Sequence, residues 1–190
     1  VVTFEVAPSL QDCQNNALVY KTQSGKSNYL WTPSGTLNVD YVITNGGLSI
    51  SDNTVTLKWL TPGNKTMQVN YTDANTCTAD QPTNTSTVVN SLPTVTAIST
   101  PTSGAICIGA NATLNGAGAT SYIWSGGVTN GTAFAPTTTT TYTVTGTDAN
   151  GCVNTATKSI IVNALPTVTA TSTPASGAIC IGSNATLAGA

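Results

Sequence analysis

"TTTYTVTGTDANGCVNTATKSIIV", Thr139 to Val162, decides the fold class. Its first half alternates Tyr142 and Val144 with Thr143 and Thr145. That two-residue period belongs to a strand with one face buried. "DANG", Asp148–Gly151, interrupts it, and "CVNTATKSIIV" resumes extension. Asn-Gly readily takes the two left-handed positions of a type I′ turn, so the stretch is predicted to be a hairpin with a tight turn. Upstream the pattern continues in short pieces. "TVTAIST" (Thr94–Thr100), "AICI" (Ala105–Ile108), "SYIW" (Ser121–Trp124) and "TAFAP" (Thr132–Pro136) are separated by segments that contain Gly, Pro, Asn or Ser. Many short strands with turns between them predict a β-sandwich, and no segment shows the 3.6-residue apolar period of a helix.

The sequence repeats itself. "SGAICIGANATLNGA" (Ser103–Ala117) returns as "SGAICIGSNATLAGA" (Ser176–Ala190), and "LPTVTA" at Leu92–Ala97 returns at Leu165–Ala170. Both offsets are 73 residues, too long for one turn of a solenoid and suited to a small sandwich strung head to tail. Residues 1–90 hold a longer relative of the same unit. "YLW" (Tyr29–Trp31) answers "YIW" (Tyr122–Trp124), and "TDANTC" (Thr72–Cys77) answers "TDANGC" (Thr147–Cys152). The extra length includes "DYVITNGGLSIS", predicted to add one or two strands. Residues 1–90 and 91–163 are therefore expected to form two sandwiches, and 164–190 the beginning of a third. The alternating strands put Trp31, Trp59, Trp124, Tyr142 and Val144 in the cores.

Composition narrows function. Charged residues are 6% of the chain, with no Arg and no His, while 38 of 190 residues are Thr. A net charge of −2 with no basic cluster leaves no electrostatic footprint for nucleic acid or anionic membrane, and no apolar run is long enough for membrane insertion. Without His there is no Ser-His or Cys-His dyad. The seven acidic residues, Glu5, Asp12, Asp40, Asp52, Asp73, Asp80 and Asp148, are scattered singly. No catalytic residue, cofactor or metal site is expected, and the chain is read as non-enzymatic. Asp73 and Asp148 are assigned to bonding backbone N–H groups in their hairpins. Five cysteines at repeated places, with no Cys-x₂-Cys spacing, point to disulfides and an oxidising compartment. The chain is read as a mature or internal segment of a longer secreted protein.

"ICIG…ATL…YIW…TTTTTYTVTGTDANGCVNTATKSIIV" resembles the immunoglobulin-like repeats of giant surface proteins of gliding Bacteroidota. Residues 1–90, with "YLWTP", "VITNGG", "VTLKW" and "YTDANTC", resemble the PKD-like domain that accompanies them. The resemblance implies an all-β chain of tandem immunoglobulin-like (PKD-like) antiparallel sandwiches. It also implies export by the type IX secretion system and display on the extracellular cell surface. The expected role is a structural stalk segment of a long, filamentous adhesin for gliding motility and surface attachment. Its partners would be neighbouring repeats, with the motility machinery and external polysaccharide reached through other parts of the protein. The alternative is a carbohydrate-binding accessory module of a secreted polysaccharide-degrading enzyme, which would need exposed, coplanar aromatic rings. Thr76 departs from the pattern where the shorter unit has Gly151, which puts the tight turn in question there.

The cysteines can pair within units, Cys13 with Cys77 and Cys107 with Cys152, or between them. In an immunoglobulin-like strand order Cys107 lies at the C-terminal pole of its module and Cys152 at the N-terminal pole, about 23 Å away at roughly 3.3 Å per residue. A disulfide tolerates a Cα–Cα distance of only about 4.4–6.8 Å. The between-unit alternative therefore joins Cys13 to Cys152, with Cys77, Cys107 and Cys180 pairing to modules outside this segment.

Overall fold

The computed structural model describes residues 1–190 and is all-β, apart from one short 3₁₀ turn at Ser125–Gly127. The first 90 residues form eight strands: β1 (Phe4–Val6), β2 (Gln11–Cys13), β3 (Ala17–Thr22), β4 (Ser27–Pro33), β5 (Tyr41–Gly46), β6 (Thr54–Trp59), β7 (Gly63–Thr72) and β8 (Thr83–Asn90). They make two four-stranded sheets, ordered β1-β3-β6-β5 and β2-β8-β7-β4. Seven strands follow: β9 (Thr96–Thr100), β10 (Ala105–Cys107), β11 (Ala112–Ala117), β12 (Ser121–Trp124), β13 (Ala133–Phe134), β14 (Thr140–Thr147) and β15 (Val153–Asn163). Their sheets are β9-β11-β13 and β10-β15-β14-β12. β6 pairs with β3 as β13 pairs with β11. The added strand of the longer unit is thus β5, on the free edge beside β6.

Alternation places the cores. Val55, Leu57 and Trp59 of β6 face Met67, Val69 and Tyr71 of β7, with Trp31, Leu18 and Tyr20 between the sheets. Trp124, Tyr142, Val144, Leu114 and Ile160 form a second, separate cluster. Each buried side chain of this size contributes roughly 1.5–3 kcal/mol. The buried polar ends are satisfied. Trp59 Nε1 donates to the Tyr20 hydroxyl at 3.1 Å, Trp31 Nε1 to the Asp52 carbonyl at 2.6 Å, and Trp124 Nε1 to Asn130 Oδ1 at 2.9 Å. Burial raises the Tyr20 hydroxyl pKa above its ordinary value.

Two features depart from the sequence expectation. First, one pairing in each sandwich is parallel: β2 with β8 and β10 with β15. After β1 or β9 the chain crosses to the other sheet and lies beside the last strand, running the same way. Second, Asp148–Gly151 is not a type I′ turn. Thr147 and Val153 are the last ladder pair, so five residues lie between them. The Asp148 N–H donates to the Cys152 carbonyl at 3.0 Å, and the Gly151 N–H returns to the Asp148 carbonyl at 3.2 Å. Only Gly151, not Asn150, has positive φ, at 80°. This is a type I turn closed by one left-handed residue, the usual three-residue hairpin loop. The Asp148 carboxylate favours it by accepting the N–H groups of Asn150 (2.8 Å) and Cys152 (2.9 Å).

Beyond Asn163, β16 (Ala170–Thr173) pairs antiparallel with β17 (Thr186–Gly189), as β9 pairs with β11. No second sheet covers this hairpin. Leu187 is 82% exposed, whereas Leu114, one repeat earlier, is 0% exposed.

Candidate functional site

The cysteines and the linker that follows β8 meet at the seam between the two sandwiches. Cys13 is the last residue of β2 and stands opposite Asn90, the last residue of β8. The Gln14 N–H donates to the Asn90 carbonyl at 2.9 Å, and Gln14 Nε2 donates to the Leu60 carbonyl. Cys13 is thereby fixed where the chain leaves the first sandwich. Its own N–H donates to Asp12 Oδ1 at 2.7 Å, and that oxygen also accepts from Asn16 Nδ2 at 2.6 Å.

Cys152 comes from the other side. It closes the β14–β15 hairpin at the near end of the second sandwich, held by the Asp148 carboxylate. Cys13 and Cys152 are joined, with S–S 2.03 Å and Cα–Cα 5.5 Å, across a sequence separation of 139. Cys152 is fully buried. Pro93 in the linker is buried too, and Asn154 Nδ2 donates to its carbonyl at 3.0 Å. The seam is therefore held three ways: by a covalent bond, by the packed proline, and by the bond from β15 to the linker. The bond from Asn154 was not legible in the sequence, because the longer unit has Ala79 in the corresponding place.

The within-unit alternative does not form. Cys107 ends β10 opposite Asn163, at the far end of β15 from Cys152. β15 has eleven residues, about 36 Å at roughly 3.3 Å each. Cys77, Cys107 and Cys180 are free and exposed. The surroundings of Cys107 and Cys77 nonetheless repeat those of the bonded pair. Cys107 stands opposite Asn163 as Cys13 stands opposite Asn90. The Ile108 N–H bonds the Asn163 carbonyl at 2.8 Å. Cys77 closes its hairpin as Cys152 does, and Asp73 Oδ1 accepts the N–H groups of Asn75 and Cys77 at 2.8 and 3.0 Å. Those two backbone bonds, that from Cys77 first, hold the Asp73 carboxyl below its ordinary range; desolvation works against them, and the charges of Lys26 and the N-terminus add to them. A cavity of about 330 Å³ lies beside Cys77, lined among others by Val1, Lys26, Tyr71 and Asp73. Leu165 is 63% exposed, and Pro166 is exposed where Pro93 is buried.

Trp31, Trp59 and Trp124 are buried at 4%, 1% and 4% exposure, so their rings make no surface platform. Tyr142 and Val144 are buried with them. No three His, Cys, Asp or Glu side chains converge as a metal-holding group, and no helix is long and apolar enough to cross a membrane.

No protein-family model and no curated protein matches the chain. Solved structures align with it at low identity. A C-terminal fragment of intimin, solved in complex with the intimin-binding domain of the translocated intimin receptor, is 15% identical. That alignment covers 90% of this chain and 65% of the fragment, with a TM-score of 0.43. The fibronectin(III)-like modules of Clostridium thermocellum CbhA are 11% identical, with 86% and 95% covered and a TM-score of 0.38. The Yersinia pseudotuberculosis adhesin InvE is 11% identical, with 84% and 58% covered and a TM-score of 0.33. The chain thus spans under two thirds of the intimin fragment and of InvE.

Proposed function

We propose that this chain is a stalk segment of a cell-surface adhesin. Two β-sandwich modules, residues 1–90 and 91–163, and the opening strands of a third, residues 164–190, supply reach and mechanical continuity. The observation that carries the reading is the Cys13–Cys152 bond: a covalent staple placed at the seam between two modules. Neither cysteine belongs to the two core clusters. The bond's effect is to fix the distance between modules, which a spacer under tension needs. Low charge and fully satisfied buried side chains fit a passive spacer.

The free cysteines extend the same arrangement. Cys107 and Cys180 pair with hairpin cysteines of following modules, and Cys77 pairs with a strand-end cysteine of a preceding one. The finer assignment, to a gliding adhesin exported by the type IX system, is supported by the sequence resemblance. Antibodies raised against residues 91–163 test the reading on intact cells of the source organism. Surface labelling at a distance from the outer membrane is the expected result. Label confined to the cytoplasm, or found only on a soluble secreted enzyme, would overturn it.

A further inference from the structure

The bridge closes a covalent loop whose two ends are separated by 139 positions in sequence and stand 5.5 Å apart in space. When the two ends of the chain are pulled, this loop lies in parallel with a few covalent bonds. A link that short and stiff takes the whole load. We propose that Cys13–Cys152 is a tension bypass: force runs along residues 1–13, crosses the sulfurs, and leaves along residues 152–190.

Apart from the β16–β17 hairpin at its end, the fold places little on that path that can lengthen. β15 is fully extended and spans the second sandwich from the hairpin to the linker, with β14 on one side and β10 on the other. A strand rises roughly 3.3 Å per residue, close to the limit of about 3.6 Å for a fully drawn chain. Of the buried apolar residues in the two cores, only Val2 and Ile160 lie on the path. The other fully buried side chains of the two cores, Trp31, Trp59 and Trp124 included, belong to the shielded loop, while the partly buried Phe4, Ala156 and Val162 lie on the path. The bypass is also a redox gate. A dithiol reductant transfers two electrons and two protons to the bridge, leaving two thiols on the protein and becoming a disulfide itself. The loop then enters the load path in series, and up to roughly 470 Å of contour becomes available, at about 3.4 Å per residue.

The purpose assigned to this device rests on the stalk reading, but the measurement does not. The full chain is tethered at Val1 and Ala190 and stretched by single-molecule force spectroscopy. Oxidised protein is expected to release only what residues 1–13 and 152–190 can supply. The same protein in dithiothreitol is expected to release the further length of roughly 470 Å. The C13S/C152S double variant, checked for buried Trp by its emission maximum, is expected to do so without reductant. Long release from oxidised chains with the bridge intact would overturn the proposal. So would short release from both reduced chains and the double variant. Neither outcome touches the surface-labelling test of the stalk reading, which fails or stands separately.

Discussion

Thr76 and Gly151 occupy the same left-handed place in equivalent hairpins, at φ 62° and φ 80°. In each, the N–H of that residue bonds back to the aspartate that opens the turn, Asp73 or Asp148. The loop therefore survives the loss of glycine, at a cost. A β-branched residue in left-handed backbone is unfavourable by roughly 1–2 kcal/mol. Thr76→Gly is expected to raise the unfolding midpoint of the first sandwich, and Gly151→Thr to lower that of the second by about the same amount. Thermal denaturation followed by circular dichroism checks both signs.

The cysteine inventory has a direct chemical readout. Folded, oxidised chain is expected to show three reactive thiols, those of Cys77, Cys107 and Cys180. Digestion without reductant should yield a linked peptide containing Cys13 and Cys152. A Cys107–Cys152 peptide would place the bond inside a module and remove the staple.

The separate cores make the two sandwiches separable in stability. Trp124→Ala removes the largest side chain of the second core and leaves Asn130 without its indole partner. A loss of about 3–5 kcal/mol is expected, a large fraction of the roughly 5–15 kcal/mol that holds an ordinary domain. Calorimetry should show the second sandwich melting early while the first keeps its transition. A single transition that moves as a whole would contradict this independence.

Asp40 and Asp73 make the first sandwich sensitive to acid. Asp40 accepts the Thr36 N–H at 2.9 Å and the Thr61 hydroxyl at 2.8 Å, with Lys65 Nζ at 3.7 Å. The backbone bond from Thr36 is the main cause of its lowered pKa, as backbone bonds are for Asp73. A carboxyl depressed in the folded state stabilises it above the unfolded value, near 4, and that contribution is lost as pH falls through the folded value. The midpoint of the first sandwich should hold steady down to about pH 5 and decline below about pH 4. In the D40N/D73N variant that decline should be shallower. An unchanged slope would show that other carboxylates govern it.

Calcium and chelator are both expected to leave the two midpoints where they are. No carboxylate cluster stands at the seam between the sandwiches. A midpoint that climbs with calcium concentration, as mass action requires for an ion bound only by the folded state, would reveal a site formed from backbone carbonyls.

The sequence by itself determined the strands, their buried faces and the repeat. Those follow from the alternation at Tyr142 and Val144, the spacing of Trp31 and Trp124, and the returning "LPTVTA". Each is a property of residues close together along the chain, where the two-residue period of a strand leaves its mark. Turn chemistry was legible only in part. Asn150-Gly151 announced a hairpin, but the Asp148 carboxylate, by accepting two backbone N–H groups, selected a longer loop. The parallel pairing of β2 with β8 left no local trace, since Gln11–Cys13 is three residues long and its partner lies in the last strand. The cysteine partner was decided only in three dimensions. Sequence allowed Cys152 to meet either Cys107 or Cys13. The tertiary structure separates the first pair by the length of β15 and brings the second to a Cα–Cα distance of 5.5 Å. A disulfide's narrow geometric tolerance turns that difference in distance into a choice.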